Sequence, residues 1–142
     1  MYLKQLSVFM ENKDGKLSEI IDLLSKNDIN LHALSIADTT DFGILRLIVD
    51  DPQKAAEALK ADGFVVKISD VLAVGMEDKP GSLAKLLQII SSAGIGVEYM
   101  YAFVSRVQGK ALMVVRVNDN EKAVEALRAQ GVELVGAAEF YA

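Results

Sequence analysis

The chain repeats itself. Val8-Phe9-Met10-Glu11-Asn12-Lys13-Asp14-Gly15-Lys16-Leu17 returns as Val74-Gly75-Met76-Glu77-Asp78-Lys79-Pro80-Gly81-Ser82-Leu83. Lys54-Ala55-Ala56-Glu57-Ala58-Leu59 returns as Lys122-Ala123-Val124-Glu125-Ala126-Leu127. The offset is 66 residues in the first block and 68 in the second, so one two-residue length difference falls between them, in the region of Arg106 to Lys110. A repeat of about seventy residues is too long for a solenoid unit and long enough for a small domain. The 142 residues therefore read as two copies of one domain, 1–70 and 71–142. Each copy alone is marginal in size, so mutual packing is expected to add stability. Duplicated domains also create a pseudo-twofold interface, a common place for a ligand site.

Both halves alternate strand and helix patterns. Leu3–Met10 reads as a strand, and Leu17, Ile20, Ile21 and Leu24 then recur at helical spacing. Strands are expected over Asn30–Ala37 and Phe42–Val49. Gly43 lies near the turn between them and is matched by Gly109, which suggests a hairpin. Asp51-Pro52 has the form of a helix start, with Ala55, Ala56 and Leu59 on one face. Gly63 ends that helix and Phe64–Ile68 forms a fourth strand. The second half repeats the order: strand Val71–Glu77, a helix carrying Leu83, Leu86, Leu87 and Ile90, strands Val97–Phe103 and Ala111–Val117, a helix carrying Ala123, Val124 and Leu127, and a last strand near Val132–Ala138.

The expected fold is α+β: two ferredoxin-like βαββαβ domains, each an antiparallel sheet with both helices on one face, the sheets side by side. Ser69-Asp70 is the only polar break between the halves. Alternation in Leu45 to Asp50 is uneven, which implies partial burial of the face away from the helices.

Composition removes several classes of function. Hydrophobic residues make up 51% and charged residues 25%, a globular balance rather than a disordered one. There is no cysteine, which excludes disulfides, thiolate zinc sites and cysteine nucleophiles. His32 is the single histidine, too little for a transition-metal site. The longest apolar runs, Val71–Val74 and Ala111–Val115, are too short to span a bilayer. The N-terminus does not read as a signal peptide, so a cytoplasmic location is expected. A net charge of −5 disfavours nucleic acid or an anionic membrane as partner. No glycine-rich phosphate loop and no nucleophile–base pair is apparent, so neither a cofactor nor catalysis is expected.

The strand-to-helix loops Glu11–Leu17 and Glu77–Leu83 are the site candidates. Their glycines let backbone pass close to a ligand. The helix N-terminus that follows offers unpaired N–H groups and a positive dipole end, to which a carboxylate is the natural guest. Asn12 and Asp78 precede the turn, where their oxygens could accept hydrogen bonds from an ammonium group. Carboxylate and ammonium held together are the signature of a free amino acid. A glycine turn preceded by Asn or Asp is also ordinary turn chemistry, and duplication copies turns and sites alike.

Glu77-Asp78-Lys79-Pro80-Gly81-Ser82-Leu83, followed by Ala93-Gly94-Ile95-Gly96-Val97, resembles the ACT domain pattern. The first half matches through Glu11–Leu17 and through Asn27-Asp28-Ile29-Asn30-Leu31. Residues 35–46 and 98–103 resemble a stand-alone tandem subgroup of that family. The resemblance covers the whole chain, one ACT domain per half. It implies a βαββαβ fold and an amino-acid-binding regulatory role, as a homodimer acting on an enzyme or regulator of amino-acid metabolism.

In such pairs the ligand lies between two domains, touched by the loop of one and the second strand of the other. The resemblance puts the loop positions on Asn12, Lys13, Asp14, Gly15, Lys16 and Leu17, and on Asp78, Lys79, Pro80, Gly81, Ser82 and Leu83. It puts the second-strand position on Asn30 and on Gly96. Tyr99, Met100 and Tyr101 farther along that strand, and the matching Leu34, Ser35 and Ile36, could line the ligand cleft or a subunit interface, with ordinary sheet packing as the alternative. Crossing the partners couples Asp78 with Asn30 and Asn12 with Gly96, so the Asp78 site is expected to be the better one. If both polar positions come from one domain, Asn12 and Asn30 mark the first-half loop instead. The alternative function is a ligand-free interaction or dimerisation module.

Overall fold

A computed structural model describes residues 2–11, 14–38, 41–104 and 109–136. They divide into two compact units. Residues 4–69 form the N-terminal unit; Tyr2, Leu3 and residues 70–136 form the C-terminal unit.

The N-terminal unit holds β1 (Leu3–Glu11), α1 (Lys16–Lys26), β2 (Leu31–Asp38), β3 (Phe42–Val49) and α2 (Pro52–Ala61), and ends in the first residues of β4 (Val65–Glu77). Its strand order is β2-β3-β1-β4. β3 pairs antiparallel with β1, Leu6 opposite Leu47 and Val8 opposite Leu45, and with β2, Leu34 opposite Leu47. Those residues point one way because side chains alternate along a strand. They meet Ile20 and Leu24 of α1 and Ala55, Ala56 and Leu59 of α2 in one buried core, so both helices lie on one sheet face. Asp51 caps α2 by accepting the Lys54 N–H at 3.1 Å, and Pro52 supplies the fixed φ of the first turn.

The C-terminal unit repeats the pattern with the rest of β4, α3 (Ser82–Ser92), β5 (Val97–Ala102), β6 (Lys110–Val117), α4 (Asn120–Ala129) and β7 (Glu133–Leu134). β6 pairs antiparallel with β4 and β5, and β7 pairs antiparallel with β4. Its core is the same set one repeat later: Leu72, Val74, Leu86, Ile90, Val115, Val117, Ala123, Val124 and Leu127. Asp119 caps α4 as Asp51 caps α2, accepting the Lys122 N–H at 3.1 Å.

Two sequence expectations need correction. β4 runs unbroken from Val65 to Glu77, where two strands were expected on either side of Ser69-Asp70. Two polar residues alone do not stop a strand when their backbone groups find partners. Here the Asp70 carbonyl is satisfied by side chains, accepting from Arg116 Nη1 at 2.8 Å and Asn120 Nδ2 at 3.3 Å. Gly43 and Gly109 are not equivalent. Gly43 sits inside β3 opposite Met10, whereas Gly109 precedes β6 with φ +75°. Ile36 faces Leu45 and Ala102 faces Met113, so the offset changes from 66 to 68 within the β5–β6 connection, ahead of Gly109's match.

The uneven alternation has its counterpart in burial. Gln5, Ala33 and Ile48 in the N-terminal unit, and Ala73 and Val114 in the C-terminal unit, lie outside the helix-side cores and are still buried.

Candidate functional site

Both strand–helix loops end in a glycine that serves as helix N-cap in the left-handed region, Gly15 at φ +87° and Gly81 at φ +91°. A Cβ at either would meet nothing within 4 Å, so backbone strain and not crowding selects glycine there. Neither glycine offers a side chain to cap the helix that follows, and in α3 the Ser82 N–H goes to the Lys79 carbonyl at 3.3 Å. In α3 the first intrahelical bond is donated by Lys85 to Gly81 at 3.0 Å, which leaves the N–H groups of Leu83 and Ala84 ahead of it.

That N-terminus borders a cleft of about 610 Å³ wholly within the C-terminal unit. Its wall combines the loop (Lys79, Pro80, Gly81, Ser82), the end of β4 (Val74, Gly75, Met76, Glu77), α3 (Lys85, Leu86, Ile89) and the segment entering β7 (Gln130 to Glu133), with Lys110 at the start of β6. The floor is apolar and the rim is charged. Lys79 pairs with Glu77 at 2.7 Å, and Lys110 pairs with Glu133. Lys85 makes no ion pair among the described residues. The hydrogen bond from Lys79 holds the Glu77 carboxyl below its usual range, the Lys79 charge adds to this, and the Lys85 charge adds least. Lys79 is raised in turn, chiefly by the hydrogen bond to Glu77.

The Lys110–Glu133 pair reaches across Gly75, which stands opposite Leu112 on β6 and Glu133 on β7. A Cβ on Gly75 would come within 3.1 Å of Glu133 Oε2 and 3.4 Å of Leu112 Cδ2. The glycine therefore keeps room for this ionic strap.

The N-terminal unit has the corresponding cleft, about 310 Å³, lined by Phe9, Met10, Glu11, Lys16, Glu19, Phe42, Asp62, Gly63, Phe64 and Val65. Position for position, Phe9 replaces Gly75, Glu19 replaces Lys85, Phe42 replaces Lys110 and Val65 replaces Glu133.

The sequence-derived site residues distribute unevenly. Asn12 and Lys13 lie outside the described residues. Gly15 caps α1, Asp14 is exposed, Lys16 lines the smaller cleft, and Leu17 packs against the N-terminal core. Lys79, Pro80, Gly81 and Ser82 come together on the larger cleft, whereas Asp78 and Leu83 are exposed and do not line it. Asn30 donates its backbone N–H to Asp50 Oδ1 at 3.1 Å and lines a separate recess of about 470 Å³ with Asp28. Leu34 and Met100 pack against the helix-side cores. Ser35 stands opposite Arg46, and Ile36 is exposed. Tyr99 and Tyr101 stack with ring centroids 6.4 Å apart.

Sequence reasoning missed Lys85, Lys110 and Glu133. The signal was present in the repeat itself, since Phe9 against Gly75 and Glu19 against Lys85 are its least conservative exchanges near the loop. Among the described residues there is no cluster of metal-ligating side chains, and no helix is long and apolar enough to cross a membrane.

Two βαββαβ units, each opening a helix with a left-handed glycine after its first strand, define a pair of ferredoxin-like domains. The family model for an ACT domain pair matches residues 1–141, and the chain belongs to that family. A solved protein of Bacteroides thetaiotaomicron is 45% identical over 99% of this chain and 96% of its own, with a TM-score of 0.93. The regulatory subunits of aspartate kinase from Thermus thermophilus and Thermus flavus share the fold. The first has a TM-score of 0.69 at 20% identity, covering 90% of each chain; the second has 0.62 at 17%, covering 89% of this chain and 90% of its own. No curated protein sequence matches significantly.

Proposed function

We propose that this chain is a non-catalytic sensor of a free amino acid, built from ACT domains 1–70 and 71–142, and that the cleft of the C-terminal unit carries the ligand. The observation that supports the reading is the meeting there of a helix N-terminus without a side-chain cap, the Lys85 ammonium, which makes no ion pair among the described residues, and an apolar floor of Met76, Leu86, Ile89 and Val132. A carboxylate suits the open N–H groups and Lys85; an ammonium suits Glu77 or Glu133; an apolar side chain suits the floor. The likeness to regulatory subunits of aspartate kinase agrees with a regulatory role. In this reading occupancy of the cleft biases a partner, an enzyme or regulator of amino-acid metabolism, and the protein acts in the cytoplasm as a homodimer. Coupling of this kind is typically about 1–3 kcal/mol.

Thermal unfolding against the twenty free amino acids is the test. A ligand at a hundred times its dissociation constant adds about 2.7 kcal/mol, a shift of a few degrees. A shift with one or a few apolar amino acids supports the sensor, and none on ligand-free protein favours the interaction module. Calorimetry then separates two site assignments. Loss of binding in Lys85→Met, with Asp78→Ala and Asn30→Ala unaffected, assigns the ligand to the cleft alone. Loss in Asp78→Ala and Asn30→Ala, with Asn12→Ala unaffected, restores the pairing that the family resemblance implies.

A further inference from the structure

The larger cleft holds two carboxylates in unlike settings. Glu77 pairs with Lys79, two residues along the same loop, and their side chains are 71% and 63% exposed. Glu133 comes from β7, opposite Gly75, and it and its partner Lys110 are only 45% and 44% exposed. The missing side chain of Gly75 lets the Glu133 carboxylate lie against β4, since a Cβ there would stand 3.1 Å from Oε2. Met76 follows that glycine and Val132 precedes Glu133, so this carboxylate borders the apolar floor. The other carboxylate is already served by cations: Lys79 acts on Glu77 by hydrogen bond and charge, and Lys85 by charge.

We infer that Glu133 selects an amino acid by its amino group, and that the arriving ammonium takes the place of the Lys110 ammonium on this carboxylate. The inference rests on the amino-acid reading of the cleft and assigns one residue within it. The exchange conserves an ion pair, because one ammonium leaves as another arrives. It costs little, because a pair as exposed as Lys110–Glu133 contributes little to begin with. Lys110 returns to water on a long flexible stem. Lys110 is therefore a competitor of the ligand and Glu133 its receptor, although the two residues form one salt bridge in the empty cleft. The counterpart of Glu133 in the N-terminal cleft is Val65, with Phe9 where Gly75 stands, so this acceptor exists in one unit only.

Calorimetry on the full chain reads the preference for the amine as a ratio of Kd values. The probes are L-leucine and L-phenylalanine, each beside the acid that lacks its amino group, isocaproate and hydrocinnamate. The expected result is a clear preference for the amino acids in the parent chain. Glu133→Gln should lower that ratio roughly tenfold or more. Lys110→Met should raise it about threefold, because the carboxylate then has no lysine to give up. Thermal unfolding of each variant without ligand confirms its fold. A ratio that Glu133→Gln leaves unchanged overturns the inference, and so does one that falls in Glu77→Gln instead. A ratio that falls in Lys110→Met also overturns it, since Lys110 then assists the ligand. The amino-acid reading survives all three. A parent chain that binds acid and amino acid alike overturns the inference as well. One that binds none of the four probes removes the apolar ligand from this cleft and the inference with it.

Discussion

The two units share a core and differ in a cleft. Leu6, Val8, Leu24, Leu47, Val49 and Leu59 of one are Leu72, Val74, Ile90, Val115, Val117 and Leu127 of the other, buried in both. Substitutions there stay apolar and near in volume, as close packing demands. At the end of the first strand the constraint lapses. One unit has Phe9, Glu19, Phe42 and Val65 where the other has Gly75, Lys85, Lys110 and Glu133, on backbones that follow one pattern. Side chains that the fold does not need are free to change sign and size. The difference between the copies therefore says more about function than their similarity does.

The largest expected effect tests the shared part. Leu59→Ala and Leu127→Ala each empty a fully buried position at equivalent points of α2 and α4. Each should cost about 2–5 kcal/mol, and the two should agree closely in denaturant unfolding of the full chain. A cost present in only one unit would break the equivalence of the cores.

The next effect tests the divergent part. Gly75→Phe copies the N-terminal cleft onto the C-terminal one. Its Cβ already crowds Glu133 and Leu112, so the ring displaces the Lys110–Glu133 strap at about 1–3 kcal/mol. Adding Lys110→Phe and Glu133→Val completes the apolar trio and relieves that crowding. The triple variant should unfold cooperatively while losing the stabilisation that an amino acid confers. Phe9→Gly in the other unit should keep it. An amino-acid shift that survives the triple substitution would place the ligand outside this cleft.

Much of the fold was legible because it rests on periodicity. Leu17, Ile20 and Leu24 at helical spacing gave α1, and Asp51-Pro52 gave the start of α2 with its cap. The repeat then carried each assignment to the second half. What escaped was set by distant contacts. Ser69-Asp70 looked like a break because the partners of the Asp70 carbonyl, Arg116 and Asn120, lie 46 and 50 residues away. The glycine loops were legible for the same local reason as the helices, since a positive φ selects glycine. Lys110 and Glu133 were not, because only the pairing of β6 and β7 with β4 brings them together over Gly75.

The smallest expected effect follows the Glu77–Lys79 pair at the rim of the C-terminal cleft. Both groups are fully exposed, so the consequence is a shift in titration more than in stability. Glu77 should titrate below the usual 4.5 in a carboxyl NMR titration, and Lys79→Met should return it most of the way. The sign of the linked stability follows. A depressed carboxyl contributes fully above its unfolded value, and the contribution fades as pH falls through its folded value. A raised lysine contributes fully below the usual 10.5 and loses its contribution as pH rises through its folded value. The small stability difference between the parent and Lys79→Met should therefore hold across neutral pH, vanish in acid and in strong alkali, and shrink in salt. If Glu77 stays depressed in Lys79→Met, its partner is Lys85, and the cation assigned to the ligand's carboxylate is already occupied.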